Sequence, residues 1–246
     1  RHSSPQQTDV CAGDDCGPPA GGSSSGAPQK YPAYNQLIPT GVIEAQKDGY
    51  TGKGVKVALM DSGIDPSLAP FKQLSVHFRS FLVDSDGSTT PDDTDGHGSV
   101  MAQTLAGSPT DDFVGGVAPD VDLYVGQICS ESGCGIGAGD AETFYDQGVR
   151  LFNYSMGDTN SDPSDPVFKR FIGGFQDVVD GGSLLVWSGG NAGPDKLSAY
   201  AIAPVEVPAL EQGWLAVVNV SVDDDGHVTG LDKDSAECGV AANWCL

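Results

Sequence analysis

Positive charge is what this chain has least of. Twelve Lys and Arg stand against 34 Asp and Glu, a formal net charge of −22 over 246 residues. A polyanion is held by clustered Lys and Arg that displace its counterions, so nucleic acid is excluded as a partner. Such acidity keeps a chain soluble and monomeric but selects no substrate. Long apolar runs are also missing: no stretch reaches the ~18 consecutive apolar residues of a membrane span. The opening residues carry no targeting pattern, so a secreted origin implies a leader removed ahead of this stretch. Zinc and redox spacings are absent too, since no two cysteines stand as Cys-x-x-Cys and none clusters with His.

The six cysteines instead fall as three close pairs, Cys11 and Cys16, Cys129 and Cys134, Cys238 and Cys245. Six cysteines allow about 15 connectivities. Short-range pairing is the simplest, and it places the protein in an oxidising compartment such as the periplasm or cell exterior. Reduced, buried thiols are the alternative.

With hydrophobic residues at 39% and charged residues at 19%, the composition is globular, and the length suits one sizeable core plus tails. Residues 1–35, rich in Pro, Gly and Ser, read as a flexible segment. Within them Gly22-Ser23-Ser24-Ser25-Gly26 fits the letters of a nucleophile elbow, but that motif needs a strand before it and a helix after it, and neither is there. Residues 36–246 read as the folded domain. Apolar runs at Val55–Met60, Val121–Ile128, Val149–Tyr154, Leu184–Trp187 and Trp214–Val220 predict buried strands. Segments 97–107, 138–148 and 166–180 predict helices between them. Near-continuous apolar strands alternating with helices define an α/β fold, a mostly parallel central sheet covered on both faces. The acidic stretches Asp84–Asp95, Asp158–Asp165 and Asp223–Gly226 predict surface loops. Structural calcium is compatible with them, although Asp84-Ser85-Asp86-Gly87 departs from a calcium-loop pattern.

In open α/β sheets, ligands bind outside the carboxyl ends of the strands. Three predicted strands run there into chemically useful residues: Asp61-Ser62-Gly63, Ser155-Met156-Gly157, and Ser188-Gly189-Gly190-Asn191. A fourth segment, Asp95-Gly96-His97-Gly98-Ser99, opens a predicted helix. Exposed N–H donors at a helix start suit a neutral imidazole base. An aspartate on one ring nitrogen would fix the tautomer and leave the other nitrogen for a nucleophile's proton. Taken singly, each piece reads more readily as a turn residue; four in one order do not.

That constellation resembles the subtilisin-like serine peptidases. The carriers are Val57-Ala58-Leu59-Met60-Asp61-Ser62-Gly63-Ile64, Gly96-His97-Gly98-Ser99-Val100-Met101-Ala102, Gly115-Gly116-Val117-Ala118-Pro119-Asp120, Asn153-Tyr154-Ser155-Met156-Gly157 and Gly189-Gly190-Asn191. The resemblance implies a three-layer subtilisin-like fold and a serine endopeptidase acting on polypeptides without a cofactor for the chemistry. It implies Asp61 and His97 as triad members, Asn191 as oxyanion donor, and Ser155, Met156, Gly157, Gly189 and Gly190 as substrate-binding backbone. The approach to Asp61 and the pair Cys238 and Cys245 look most like subtilases carried by bacterial autotransporters. Two positions depart from the family pattern: Val100 stands where a second His is usual, and Gln103 where Gly is frequent.

The family's Gly-Thr-Ser tripeptide does not occur in the sequence. The nucleophile is therefore expected on a further C-terminal portion, a partner fragment of the same protein. Ser62, Ser155 and Ser188 are poor substitutes by position. Two other readings compete: a subtilase-derived binding or inhibitory module without a nucleophile, and an acidic, calcium-dependent adhesin domain. Pocket walls are expected from Ser155–Gly157 and Leu184–Asn191; the sequence does not fix the pocket's depth.

Overall fold

The computed structural model describes residues 37, 39–110 and 113–246. Cys11, Cys16, Ser24 and the 1–35 segment lie outside them. In chain order the elements are α1 (Val42–Lys47), β1 (Lys56–Asp61), β2 (Ser75–Ser80), α2 (His97–Ala106), β3 (Asp122–Gln127), β4 (Cys129–Ser130), β5 (Gly133–Cys134), α3 (Ala138–Tyr145), β6 (Leu151–Tyr154), α4 (Pro166–Gly173), α5 (Gln176–Asp180), β7 (Leu184–Ser188), α6 (Ala203–Glu206), β8 (Trp214–Val217), β9 (Val220–Val222) and β10 (Val228–Leu231).

Six strands form one sheet in the order β2-β3-β1-β6-β7-β8, every neighbour parallel. Parallel strands need crossovers, and helices on both faces supply them. Along β1 the side chains alternate between two cores. Val57 and Leu59 join Leu123, Val125 and the α2 residues Ala102 and Ala106. Ala58 and Met60 join Phe144, Phe152, Ile172, Leu185 and Trp187 on the other face. Burial on both faces is why these strands read as unbroken apolar runs. Fully burying a side chain such as Phe152 or Leu185 stabilises the fold by about 1.5–3 kcal/mol. The larger core is organised around aromatic contacts: Trp187 stacks on Tyr154 at 4.0 Å and on Trp214 at 5.1 Å.

Five of the strands and the starts of all three helices are where the sequence predicts them, with differences that have local causes. The 166–180 helix divides into α4 and α5 at Gly173–Gly174, since adjacent glycines each cost about 1 kcal/mol of helix propensity. Its start is firm: Asp165 accepts from the Val167 N–H at 2.6 Å, and Pro166 occupies the first turn. Edge strand β2 shows no apolar run because it is half-exposed. The last predicted strand ends at Val217, and a hairpin of β9 and β10 follows. Disulfides join Cys129 to Cys134 across β4–β5 and Cys238 to Cys245, the short-range pairing expected for these four residues.

Candidate active site

The chain leaves β1 toward β2 and β3 on one side and returns to β6 on the other. That reversal puts a crevice at the carboxyl end of β1. Asp61 is the last residue of β1, and His97 is the first of α2. His97 Nδ1 lies 2.7 Å from Asp61 Oδ1. The Ser62 N–H donates to the same oxygen at 2.7 Å. An ionised carboxylate is acceptor-only, so Nδ1 carries the proton of this bond and Nε2 is left as the basic nitrogen. The Asp61 side chain is 2% exposed and that of His97 32%. Once protonated, a half-buried imidazole against a buried carboxylate forms an ion pair in a less screened setting than the surface offers.

The hydrogen bond that His97 donates to Asp61 raises the His97 pKa above 6.5, burial opposes it, and the charges of Asp61, Asp95 and Asp93 add to the rise. The helix start was expected to favour the neutral ring. The shift is upward instead, led by the hydrogen bond to Asp61.

Two glycines make the pairing sterically feasible. A Cβ on Gly98 would collide with the backbone of Gly63, and one on Gly63 with the Asp92 carbonyl. Helix α2 therefore seats its first turn directly on the Asp61–Gly63 loop. The clamp that holds it there is Asp93, a residue the sequence reading left in a loop. Its Oδ1 accepts from Ser62 Oγ at 2.8 Å and from the Gly96 N–H at 2.9 Å. Its Oδ2 accepts from the Ser99 N–H at 2.8 Å and Ser99 Oγ at 2.6 Å. An aspartate just upstream of a helix start is the available signal for such a cap. Gln127, 7% exposed, adds a bond from Nε2 to the Ser62 carbonyl at 3.1 Å; nothing in its sequence context announces that role.

On the other side of the crevice, Ser155–Gly157 continue from β6 and Gly189–Asn191 from β7. The two segments meet through Ser198. Its N–H donates to the Gly189 carbonyl at 2.8 Å, and its Oγ accepts from the Asp158 N–H at 3.0 Å. Gly190 has φ +108°, a conformation that L side chains rarely adopt. Met156 is buried and Asn191 exposed. The hydroxyls weighed as substitute nucleophiles are engaged: Ser62 with Asp93 and the Gly98 N–H, Ser155 with Asn153 Nδ2, and Ser188 with the Gly190 N–H. Among the described residues, no group of three or more His, Cys, Asp or Glu is arranged to hold a metal ion, and no helix is long and apolar enough to cross a membrane.

The profile of the subtilase family (peptidase S8) matches residues 52–246. The chain belongs to that family. It is 30% identical over 166 residues to alkaline elastase YaB of Bacillus sp. strain YaB, covering 64% of this chain and 41% of that protein. The thermostable alkaline protease of Halalkalibacterium halodurans is 28% identical over 217 residues, covering 85% of this chain and 54% of the relative. In fold, the chain is similar to the psychrophilic subtilisin-like protease Apa1 from the Antarctic psychrotroph Pseudoalteromonas sp. AS-11. That likeness has a TM-score of 0.61 at 18% identity, over 82% of this chain and 43% of the other. The chain thus spans about half the length of the curated relatives it matches.

Proposed function

We propose that this chain supplies the acid–base half and the substrate-binding backbone of a secreted serine endopeptidase. The observation that carries the reading is the His97–Asp61 bond of 2.7 Å at the carboxyl edge of a parallel sheet, with Asp61 buried and His97 only partly so. In this mechanism a serine from outside residues 1–246 attacks the scissile carbonyl. His97 Nε2 takes its proton, and Asp61 holds the ring and stabilises the imidazolium. His97 then returns the proton to the leaving amine. Asn191 donates to the tetrahedral oxyanion, and Ser155–Gly157 pair with the extended substrate backbone. Two short-range disulfides support an oxidising, extracellular setting. The approach to Asp61 and the Cys238–Cys245 loop favour the autotransporter-borne branch.

The test is labelling of the complete natural protein with a fluorophosphonate, followed by intact-mass and peptide mapping. A single modified serine on a downstream segment, lost when His97 is replaced by Ala, is the expected result. A folded complete protein that takes no label overturns the endopeptidase reading in favour of a binding module.

A further inference from the structure

Where the sheet ends beneath α2, its last buried layer is polar. Asp61, Gln127 and Ser80 close β1, β3 and β2, and register sets them side by side, Asp61 opposite Gln127 and Gln127 opposite Ser80. Side chains alternate along a strand, so all three share the face of Leu59, Val125 and Phe78, on which α2 packs. Their exposures are 1%, 7% and 1%. Among the described residues, Asp61 Oδ2 and Ser80 Oγ find no hydrogen-bond partner in this layer. Gln127 does.

The Asp61 carboxylate is therefore held through one oxygen. Its Oδ1 accepts from both His97 Nδ1 and the Ser62 N–H, each at 2.7 Å. Where that oxygen sits depends on where the Ser62 backbone sits. On the α2 side Ser62 is tied by its hydroxyl, which donates to Asp93 and accepts from the Gly98 N–H. On the sheet side its carbonyl accepts from Gln127 Nε2 at 3.1 Å. The same nitrogen lies 3.5 Å from the Asp92 carbonyl, which also accepts the Ile64 N–H at 3.1 Å. Two carbonyl oxygens in front of one amide fix its orientation, since only the N–H end can donate to them. Gln127 thus joins β3 to the loop after β1 and to the loop before α2. The Ser80 hydroxyl, its neighbour in the layer, reaches neither.

We infer that Gln127 is a positioning residue for the Asp61–His97 pair: its amide fixes the Ser62 backbone and, through the Ser62 N–H, the carboxylate oxygen that orients the imidazole. Its effect on rate rests on the endopeptidase reading above; its effect on the His97 ring does not. A bond of 2.7 Å has little room to shorten, so a Ser62 that drifts can only lengthen it. That weakens the first cause of the raised His97 pKa, while burial of the ring and the charges of Asp61, Asp95 and Asp93 remain.

The complete, properly processed protease is compared with its Gln127→Met and Ser80→Ala variants by fluorophosphonate labelling, steady-state kinetics, thermal transitions and pH titration of the His97 ring resonances. Methionine keeps the length of glutamine and removes the donor. Gln127→Met should lower kcat about 10–100-fold with KM little changed, the scale of a displacement of up to about 1 Å. Its His97 midpoint should fall toward the ordinary 6.5. Ser80→Ala, one strand away in the same layer, should leave both at the parent values. A folded Gln127→Met variant with the parent midpoint, or an equal shift in Ser80→Ala, overturns the inference. Where Gln127→Met does not fold, the parent decides: with ¹⁵N-glutamine labelling, the Gln127 side-chain amide should exchange slowly with solvent and move with the His97 titration. Fast exchange, or a resonance flat across that titration, overturns the inference as well. A parent that neither takes the label nor hydrolyses peptides removes the endopeptidase reading, and the His97 midpoints still decide the role of Gln127.

Discussion

Two histidines in this molecule meet aspartates at nearly the same distance, His97 to Asp61 at 2.7 Å and His77 to Asp122 at 2.8 Å. Distance alone would rank them equal. They lie at opposite edges of the sheet: Asp61 is the last residue of β1, whereas Asp122 is the first of β3, in register with Lys56 and Ser75. The Asp122 side chain is 31% exposed against 2% for Asp61. His77 stacks on Tyr124 with ring centroids 4.4 Å apart, and Asp122 also accepts from Ser75 Oγ, so that pair braces an exposed edge strand. A solvent-screened ion pair of this kind contributes at most about 1 kcal/mol. What distinguishes the Asp61 pair is the company that topology brings it: a helix start, two glycine approaches and two further strand ends. The proposed chemistry of the Asp61–His97 pair rests on that company rather than on the bond itself.

Asp61→Asn is the largest test of that contrast. An amide in place of the carboxylate favours the wrong imidazole tautomer, and the complete protease should lose about 10⁴-fold in kcat. Asp122→Asn should leave kcat/KM within about twofold, because its bond is a screened surface contact. Steady-state kinetics on both variants, with matched thermal transitions, decides it. Equal losses would mean that the edge of the sheet is not what separates the pairs. Next in size is Asn191→Ala, expected to lower kcat by about 10²–10³ with KM little changed, the size of a lost oxyanion donor; an unchanged kcat removes Asn191 from the mechanism.

The same contrast shows what the sequence could reveal. The positions of Asp61, Ser155–Gly157 and Asn191 at strand ends were legible because the strands before them are apolar runs whose ends are easy to mark. His97 was legible from the glycines around it, which the structure explains by the contact of Gly98 with Gly63. Strand β2 and the His77 pair were not, since an edge strand with alternate exposed residues has no apolar run to betray it. Asp93 was hidden for another reason: its partners, Ser62 and Ser99, are joined to it only by folding. Gln127 lies within the predicted strand Val121–Ile128, and its bond to Ser62 crosses from β3 to the loop after β1.

Asp93 gives a prediction of intermediate size. Asp93→Ala removes one acceptor group from four donors, two of them backbone N–H groups at the first turn of α2. Hydrogen bonds to a charged partner contribute about 1.5–3 kcal/mol each, partly recovered here by water, so a loss of about 2–4 kcal/mol in urea unfolding is expected. Activity should fall with it, because Asp61 and His97 are no longer held in one frame. A variant as stable as the parent would show that Gly63 and Gly98 alone seat the helix.

The smallest effect is the most diagnostic of the electrostatics. Because the His97 pKa is raised, the protonated ring bound to Asp61 stabilises the fold fully below about pH 6.5, and that contribution is lost as pH rises through the raised value. Activity runs the other way, since only the neutral ring can accept a proton from the nucleophile. Across this window, kcat/KM should climb while the His97 contribution to the thermal transition declines. Asp95→Asn removes one of the weaker causes of the rise, so both midpoints should move down together, as followed by kinetics and by the His97 ring resonances. Added salt should move them in the same direction by screening the exposed part of the field. Asp122→Asn, at the far edge of the sheet, should move neither; a shift there would mean that the two His–Asp pairs are electrostatically one system.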